Sequence, residues 1–211
     1  MMNPYLSTSQ QQSLLAFCQR IVRIPSYSGE EGAVAAEVIN EMRSMGFDSI
    51  EIDACGSVIG ALHGDRPGPS LLFDSHMDVV PVTSPEEWKH SPFGAELEDG
   101  KLWGRGSADT KGSLAGVLHA VAALPRNAFA GTIYVAATVA EENLTGAAVP
   151  RILQKTPIDV FVTGEPTGLR LGVAQKGRLT LALKAHGRAA HTSHPENGVN
   201  AVYKMMEVVQ R

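Results

Sequence analysis

The sequence predicts an α/β fold: a mixed, mostly parallel sheet with helices on both faces, then the start of a smaller α+β domain. Three observations predict it. Apolar runs at residues 71–73, 132–139 and 159–162 alternate with helix-like stretches at 114–124 and 147–154. That alternation is what strands joined by crossover helices produce. The character of the chain then changes at Gly177, after which Leu179, Leu181 and Leu183 alternate with Thr180, Ala182 and Lys184. The composition is that of an ordinary globular chain, with 44% hydrophobic and 19% charged residues over 211 positions, which excludes an intrinsically disordered protein. This length fits one domain and part of another. The expected division is 1–176 and 177–211, the second part incomplete.

Each element has its own signal. Over residues 9–23, Leu14, Leu15, Cys18, Ile21 and Val22 fall on one helical face, and Pro25 stops the helix. Ser28 followed by Glu31 has the spacing of a capping box for a second helix. Val34, Val38, Met42 and Met45 line one face of that helix, and Gly46 stands where a left-handed cap is wanted. Ile50 and Ile52 alternate with polar residues as in a half-buried strand; residues 58–62 read as its neighbour, with Cys55-Gly56 at the turn. Glu98-Asp99-Gly100-Lys101 reads as a tight hairpin turn. After the alternating leucines comes a His- and Pro-containing loop at 190–197. A helix running to Arg211 then carries Val199, Val202, Met206 and Val209 on one side. A lone strand, loop and helix cannot bury both apolar faces, so the sequence reads as cut within a second domain.

Charge and composition narrow the function classes. The net charge is -4, leaving no basic stripe to neutralise phosphates, so no nucleic-acid partner is expected. Two cysteines, Cys18 and Cys55, make no disulfide framework. Residues 1–5 lack the basic and apolar regions of a secretory signal. No apolar run approaches the roughly 18 residues a membrane span needs. The expectation is a soluble cytoplasmic protein without a membrane partner.

Ligands of open parallel sheets bind beyond the carboxyl ends of the strands. There the sequence places Asp74-Ser75-His76-Met77-Asp78, Ala140-Glu141-Glu142-Asn143 and Thr163-Gly164-Glu165-Pro166. Asp109 stands ahead of the central helix in a Gly-rich loop. One imidazole with several carboxylates is a donor set for zinc or a similar divalent ion. His76 and Asp78, two apart on an extended chain, point the same way; a carboxylate beside a ligating His fixes its tautomer. Alone, His76 reads equally as a packed strand-end histidine. Glu141 and Glu142 point apart in an extended segment, which suits one ligand and one general base; an acidic pair at a helix N-terminus reads as well.

Rival chemistries fail on spacing. The residue before Lys111 is Thr110 where a P-loop needs Gly, and Asp109 takes the last place of a dinucleotide loop. The glycines of residues 104–112 are read instead as allowing close backbone approach to a metal centre. There is no Gly-x-Ser-x-Gly elbow, and both cysteines read as core or surface residues. His191 and His194 are loop histidines or substrate contacts.

At SHMDVVP (75–81), GRGSADTKG (104–112), AEEN (140–143), GEPT (164–167) and GRAAHTSHPENGVNA (187–201) the chain resembles a known family. These are the two-metal amidohydrolases and exopeptidases that include acetylornithine deacetylase, succinyl-diaminopimelate desuccinylase, aminoacylase and glutamate carboxypeptidases. The resemblance implies a zinc-exopeptidase-like catalytic domain followed by a lid and dimerisation domain. It implies that His76, Asp109 and Glu165 bind a first metal, and that Asp109 bridges to a second bound by Glu142. Glu141 is then the general base, Asp78 the partner of His76, and His191 the lid histidine that steadies an oxyanion, with His194 as its alternative. Two divalent ions are implied for the family, zinc first and cobalt or manganese as alternatives, and one for this chain. The implied reaction is hydrolysis of the amide of an N-acyl amino acid or small peptide by metal-bound hydroxide, in a cytoplasmic homodimer of amino-acid metabolism. Family members continue beyond this length to a last His ligand, so the second metal site is expected to be incomplete. A non-catalytic metal-binding or interaction protein on the same fold is the alternative.

Overall fold

The computed structural model describes residues 6–210 except 145, 175 and 178. It divides into two compact units, Met1–Arg170 and Leu171–Arg211. In the first unit, α1 (Thr8–Arg23) and α2 (Gly32–Ser44) precede the hairpin of β1 (Ser49–Ile52) and β2 (Val58–His63). Then follow β3 (Ser70–His76), a small hairpin of β4 (Glu96–Glu98) and β5 (Lys101–Trp103), and α3 (Lys111–Ala122). The unit ends with β6 (Thr132–Thr138), α4 (Glu141–Leu144), α5 (Val149–Lys155) and β7 (Val160–Thr163).

The main sheet has the order β1-β2-β6-β3-β7. β6, β3 and β7 run parallel, while β1 and β2 are antiparallel additions. The fold is therefore the expected mixed α/β class. On one face α1, α2 and α3 cover the sheet, and Phe17, Ile21, Val34, Val38, Met42 and Leu118 are wholly buried among them. Each such side chain contributes about 1.5–3 kcal/mol by leaving water. On the other face Ile152 of α5 packs with Leu72 and Ala136. Ile50 joins the core, but Ile52, the last residue of the edge strand β1, is 60% exposed.

The capping box lies elsewhere than at Ser28. Ser7 Oγ accepts from Gln10 N–H at 3.3 Å, and Gln10 Oε1 accepts from Ser7 N–H at 2.8 Å, so the box opens α1. Ahead of α2 no side chain caps the helix. The Ser28 hydroxyl donates to Asp78 instead. The 98–101 turn forms as expected, with Asp99 and Gly100 at φ +52° and +72°, the left-handed pair a type I′ hairpin requires.

Lys111 is buried at the start of α3. Its ammonium donates to the carbonyls of Ile21 (2.9 Å) and Ile24 (2.8 Å). The helical partner of the Ile21 carbonyl would be the N–H of residue 25, which is proline and has none. Lys111 supplies the missing donor.

In the unit Leu171–Arg211, α6 (Ala201–Val209) is capped by Asn200, whose Oδ1 accepts from Val202 N–H at 2.9 Å. Arg188 and Val199 form an isolated antiparallel bridge. The strand expected over 179–183 is not formed: these residues have no ladder partner among the described residues, and Leu179, Leu181 and Leu183 are exposed. An unpaired strand leaves its backbone groups unsatisfied by protein. Arg211, to which the last helix was expected to run, lies outside the described residues.

Candidate metal centre

Strand register brings the site together. His76 of β3 stands opposite Thr138 of β6, and Asp74 opposite Thr163 of β7. Three parallel strands thus end at one edge and release the segments 77–78, 139–142 and 164–165 side by side. Among the described residues, ligating atoms of His76, Asp109 and Glu142 lie within 4.8 Å of one another. His76 is buried, Glu142 half-buried and Asp109 exposed. Neutral imidazole nitrogen with two carboxylates at that separation fits a divalent ion.

His76 is oriented from behind. Its Nδ1 lies 2.9 Å from the Asp78 carbonyl oxygen, and its Nε2 lies 3.0 Å from Asp109 Oδ1. A carbonyl can only accept, so Nδ1 carries the hydrogen and Nε2 faces the cluster. The Asp78 main-chain oxygen is the nearer of its groups to Nδ1. Its carboxylate is 3.5 Å from Nδ1. That carboxylate accepts from Ser28 Oγ (2.6 Å), Glu141 N–H (3.0 Å) and Glu142 N–H (3.1 Å). Burial pushes the Asp78 carboxyl up, but His76 and these donors outweigh it and hold it at about 2. Burial pulls His76 down, while Asp78 and the charge of Glu165 carry it up to about 9, so without a cation Nε2 holds a proton as well, the one a bound cation would replace. Glu142 is pushed up by burial and by Asp109.

Glu141 and Glu142 open the short helix α4 rather than lying in an extended segment. Ala140 ahead of them has φ +56°, which turns the chain from β6 into that helix. Glu165 is exposed and stands outside the His76–Asp109–Glu142 triplet. Its carboxyl is pushed up by burial, pulled down by His76 and pushed up by Asp109, Glu141 and Glu142. Gly164 brings it there: a Cβ at this position would lie 2.3 Å from Ser75 Oγ, so only glycine allows the loop so close to β3.

The loop glycines before Asp109 serve the core rather than the cluster. A Cβ on Gly104 would lie 2.6 Å from Val22, and one on Gly106 2.6 Å from Val79. Thr110 Oγ1 donates to the His76 carbonyl at 3.1 Å, tying the Asp109 loop to β3. His191 belongs to the unit Leu171–Arg211. There Ser193 N–H donates to its Nδ1 at 3.2 Å, and Ser193 Oγ lies 2.7 Å away. His194 Nδ1 lies 3.1 Å from Glu196 Oε1.

Ser28 and Glu31, which touch this site through Asp78 and Ala140, were missed as site residues. Their spacing carried a signal, which matched helix capping equally well.

Comparison with known proteins agrees with this geometry. The model of "Peptidase family M20/M25/M40" matches residues 72–210. YgeY of Escherichia coli strain K12, an uncharacterised protein, is 32% identical over 200 residues, covering 92% of this chain and 49% of its own length. Succinyl-diaminopimelate desuccinylase 2 of Ruegeria sp. is 31% identical over 205 residues, covering 90% of this chain and 51% of its own. The chain spans about half the length of these curated relatives. Among solved structures, human carnosine dipeptidase 1 superposes with a TM-score of 0.61 at 21% identity, covering 74% of this chain and 38% of that one. A Staphylococcus aureus tripeptidase gives 0.61 at 19% identity, covering 95% and 56%. At such identities these structures support the fold alone. The family match, over well more than half of the 211 residues, does more: this chain belongs to peptidase family M20/M25/M40.

Proposed function

We propose that this chain carries the metal-binding part of a hydrolase that cleaves the amide bond of an N-acylated amino acid or small peptide. The observation that carries the proposal is the His76–Asp109–Glu142 triplet at the carboxyl edge of the parallel strands, in a chain of this peptidase family. Its relatives include a protein named for desuccinylation. His76, Asp109 and Glu165 would hold one divalent ion, zinc first among zinc, cobalt and manganese, and Asp109 with Glu142 would begin the site of a second. Such an ion would supply Lewis-acid polarisation of the scissile carbonyl and acidification of water.

The chain's own groups do the rest. Glu141, fixed at its N–H by Asp78, takes a proton from the attacking water and returns it to the leaving amine. Asp78 keeps His76 in the tautomer that presents Nε2. On His191 the Ser193 N–H occupies Nδ1, which places the ring hydrogen on Nε2 as a donor to an oxyanion. Of the ligands to a second ion, Asp109 and Glu142 are in this chain. Turnover by the 211 residues alone is therefore expected to be weak. Homodimerisation through the unit Leu171–Arg211 and a cytoplasmic location belong to the same proposal. The exposed Val202, Met206 and Val209 of α6 support the former. Among the described residues no helix is long and apolar enough to cross a membrane.

The test is metal binding by the purified chain. About one zinc or cobalt ion per chain, lost in His76→Ala, is the expected result. Glu141→Ala should keep the metal and lose any hydrolysis of N-succinyl or N-acetyl amino acids by 10²–10⁴-fold. A folded wild type that binds no metal overturns the proposal. Metal without hydrolysis, even after the remaining half of a full-length relative is supplied, favours the non-catalytic alternative.

A further inference from the structure

The segment 26–31 lies beside the site in sheet-like fashion, although it belongs to no named strand. Ser26 Oγ donates to the Met77 carbonyl at 2.7 Å, and Val79 N–H donates to the Ser26 carbonyl at 2.9 Å. Tyr27 bridges Val79 in parallel. From this anchored position Glu31 reaches the turn between β6 and α4, and Ser28 reaches Asp78. Glu31 is 5% exposed. Its Oε1 accepts from Ala140 N–H and its Oε2 from Gly29 N–H, each at 2.9 Å. Ser28 Oγ holds Asp78 Oδ2 at 2.6 Å, and Asp78, wholly buried, accepts from the N–H groups of Glu141 and Glu142.

Three consecutive N–H groups, 140 to 142, thus end on two buried carboxylates. Ala140 needs such a hold. Its φ of +56° is a conformation that residues with a Cβ disfavour. Released, Ala140 would return to negative φ and swing both Glu141 and Glu142. The chemistry at Glu31 is specific, because both its partners are donors. An amide there would set an N–H against an NH₂.

We infer that Glu31, assisted by Ser28, is a positioning residue that sets the directions of the Glu141 and Glu142 side chains. The inference rests on the proposed roles of those two residues. The Ser28–Glu31 pair, spaced as a capping box, works across the fold as a clamp on the residues that meet the metal and the water.

The test compares Glu31→Gln, Glu31→Ala, Ser28→Ala and Ser28→Thr with Val38→Ala. The last loosens the buried face of α2 without touching the clamp. Two readouts are taken on the whole 211-residue chain: amide hydrogen exchange at residues 140–142, and cobalt(II) affinity by calorimetry. Removing partners that orient metal ligands typically weakens binding by 10–100-fold. The expected result is that Glu31→Gln speeds Ala140 exchange at least tenfold and weakens cobalt binding about tenfold. Ser28→Ala should do the same more mildly, with Ser28→Thr restored. Val38→Ala, at matched loss of melting temperature, should change neither by more than twofold. If Glu31→Ala does not fold, Glu31→Gln and the Ser28 pair decide. Variants that follow Val38→Ala in both readouts overturn the inference, as does faster Ala140 exchange with unchanged cobalt affinity. A wild type that binds no cobalt overturns the reading of the site itself and the inference with it; the failing protein tells the two apart.

Discussion

Replacing Lys111 by methionine tests how the loop that carries Asp109 is fixed to the rest of the fold. The ammonium is fully buried and donates to Ile21 and Ile24 carbonyls at 2.9 and 2.8 Å. Methionine keeps most of the volume and removes both donors. Hydrogen bonds from a charged group contribute about 1.5–3 kcal/mol each, and a stranded buried acceptor costs about 1–3 kcal/mol. Against this stands the cost of burying an ammonium, several kcal/mol after relaxation. Because Pro25 supplies no N–H to Ile21, nothing in the helix takes over. The balance favours lysine, with Lys111→Met destabilised by about 2–4 kcal/mol. For a domain of this size that lowers the melting temperature by roughly 4–16 °C. Urea unfolding followed by circular dichroism, with m compared between the two proteins, measures the difference. A variant as stable as wild type within about 0.5 kcal/mol, or more stable, would show that desolvation outweighs the two hydrogen bonds and refute the reasoning.

Three further perturbations test other links. Gly164→Ala places a Cβ 2.3 Å from Ser75 Oγ and should cost about 1–3 kcal/mol by overpacking; an unchanged urea midpoint would show that the loop yields freely. Ser7→Ala removes half of the α1 capping box and should cost about 1 kcal/mol, with no loss pointing to a frayed first turn. Cys18 is buried and its thiol is pushed up to about 11 by burial, Lys111 opposing, whereas Cys55 is exposed. A disulfide reagent at pH 8 should therefore label one thiol in the native chain and two in urea. Because the folded thiol holds its proton longer than the unfolded one, Cys18 adds stability below about pH 8.5 that is lost as the pH rises through 11. Cys18→Ala should flatten that alkaline fall, and an identical pH profile would count against it.

Elements whose signal is local were legible in the sequence. The Asp99-Gly100 turn needs two positive φ angles and has the residues for them. Of the expected apolar faces of α1 and α2, Cys18, Ile21, Val22, Val34, Val38 and Met42 are buried, while Leu14, Leu15 and Met45 are half-buried and Phe17 joins the buried set. The failures are those where a residue has two chemically equal uses. Ser28 and Glu31 carry the spacing of a cap, but the donors they meet lie at residues 29 and 140 or on the Asp78 carboxylate. Ser7 and Gln10, with the same spacing, form the box instead. The leucines at 179, 181 and 183 alternate as a strand should, yet a strand is defined by its neighbour, and the unit Leu171–Arg211 offers none among its described residues.

The site was legible to a greater depth than the fold around it, for a physical reason. A metal centre at the edge of a parallel sheet must draw its ligands from residues just past strand ends, and strand ends can be found from apolar runs. His76, Glu142 and Glu165 were proposed in this way, and Asp109 from the loop before α3; the structure brings His76, Asp109 and Glu142 together. What the strand ends do not reveal is how those ligands are aimed. That depends on carbonyl and amide groups which every sequence has at every position. His76 is oriented by the main-chain oxygen of Asp78, and Glu141 and Glu142 by their own N–H groups on Asp78. The same arrangement explains the uneven charges of the cluster. Asp78, surrounded by donors, stays ionised, while the half-buried Glu142 and the more exposed Glu165, partly desolvated beside other carboxylates, are pushed up. One carboxylate is satisfied by protein and serves as scaffold. Those whose charge the protein leaves opposed are the ones a cation would relieve.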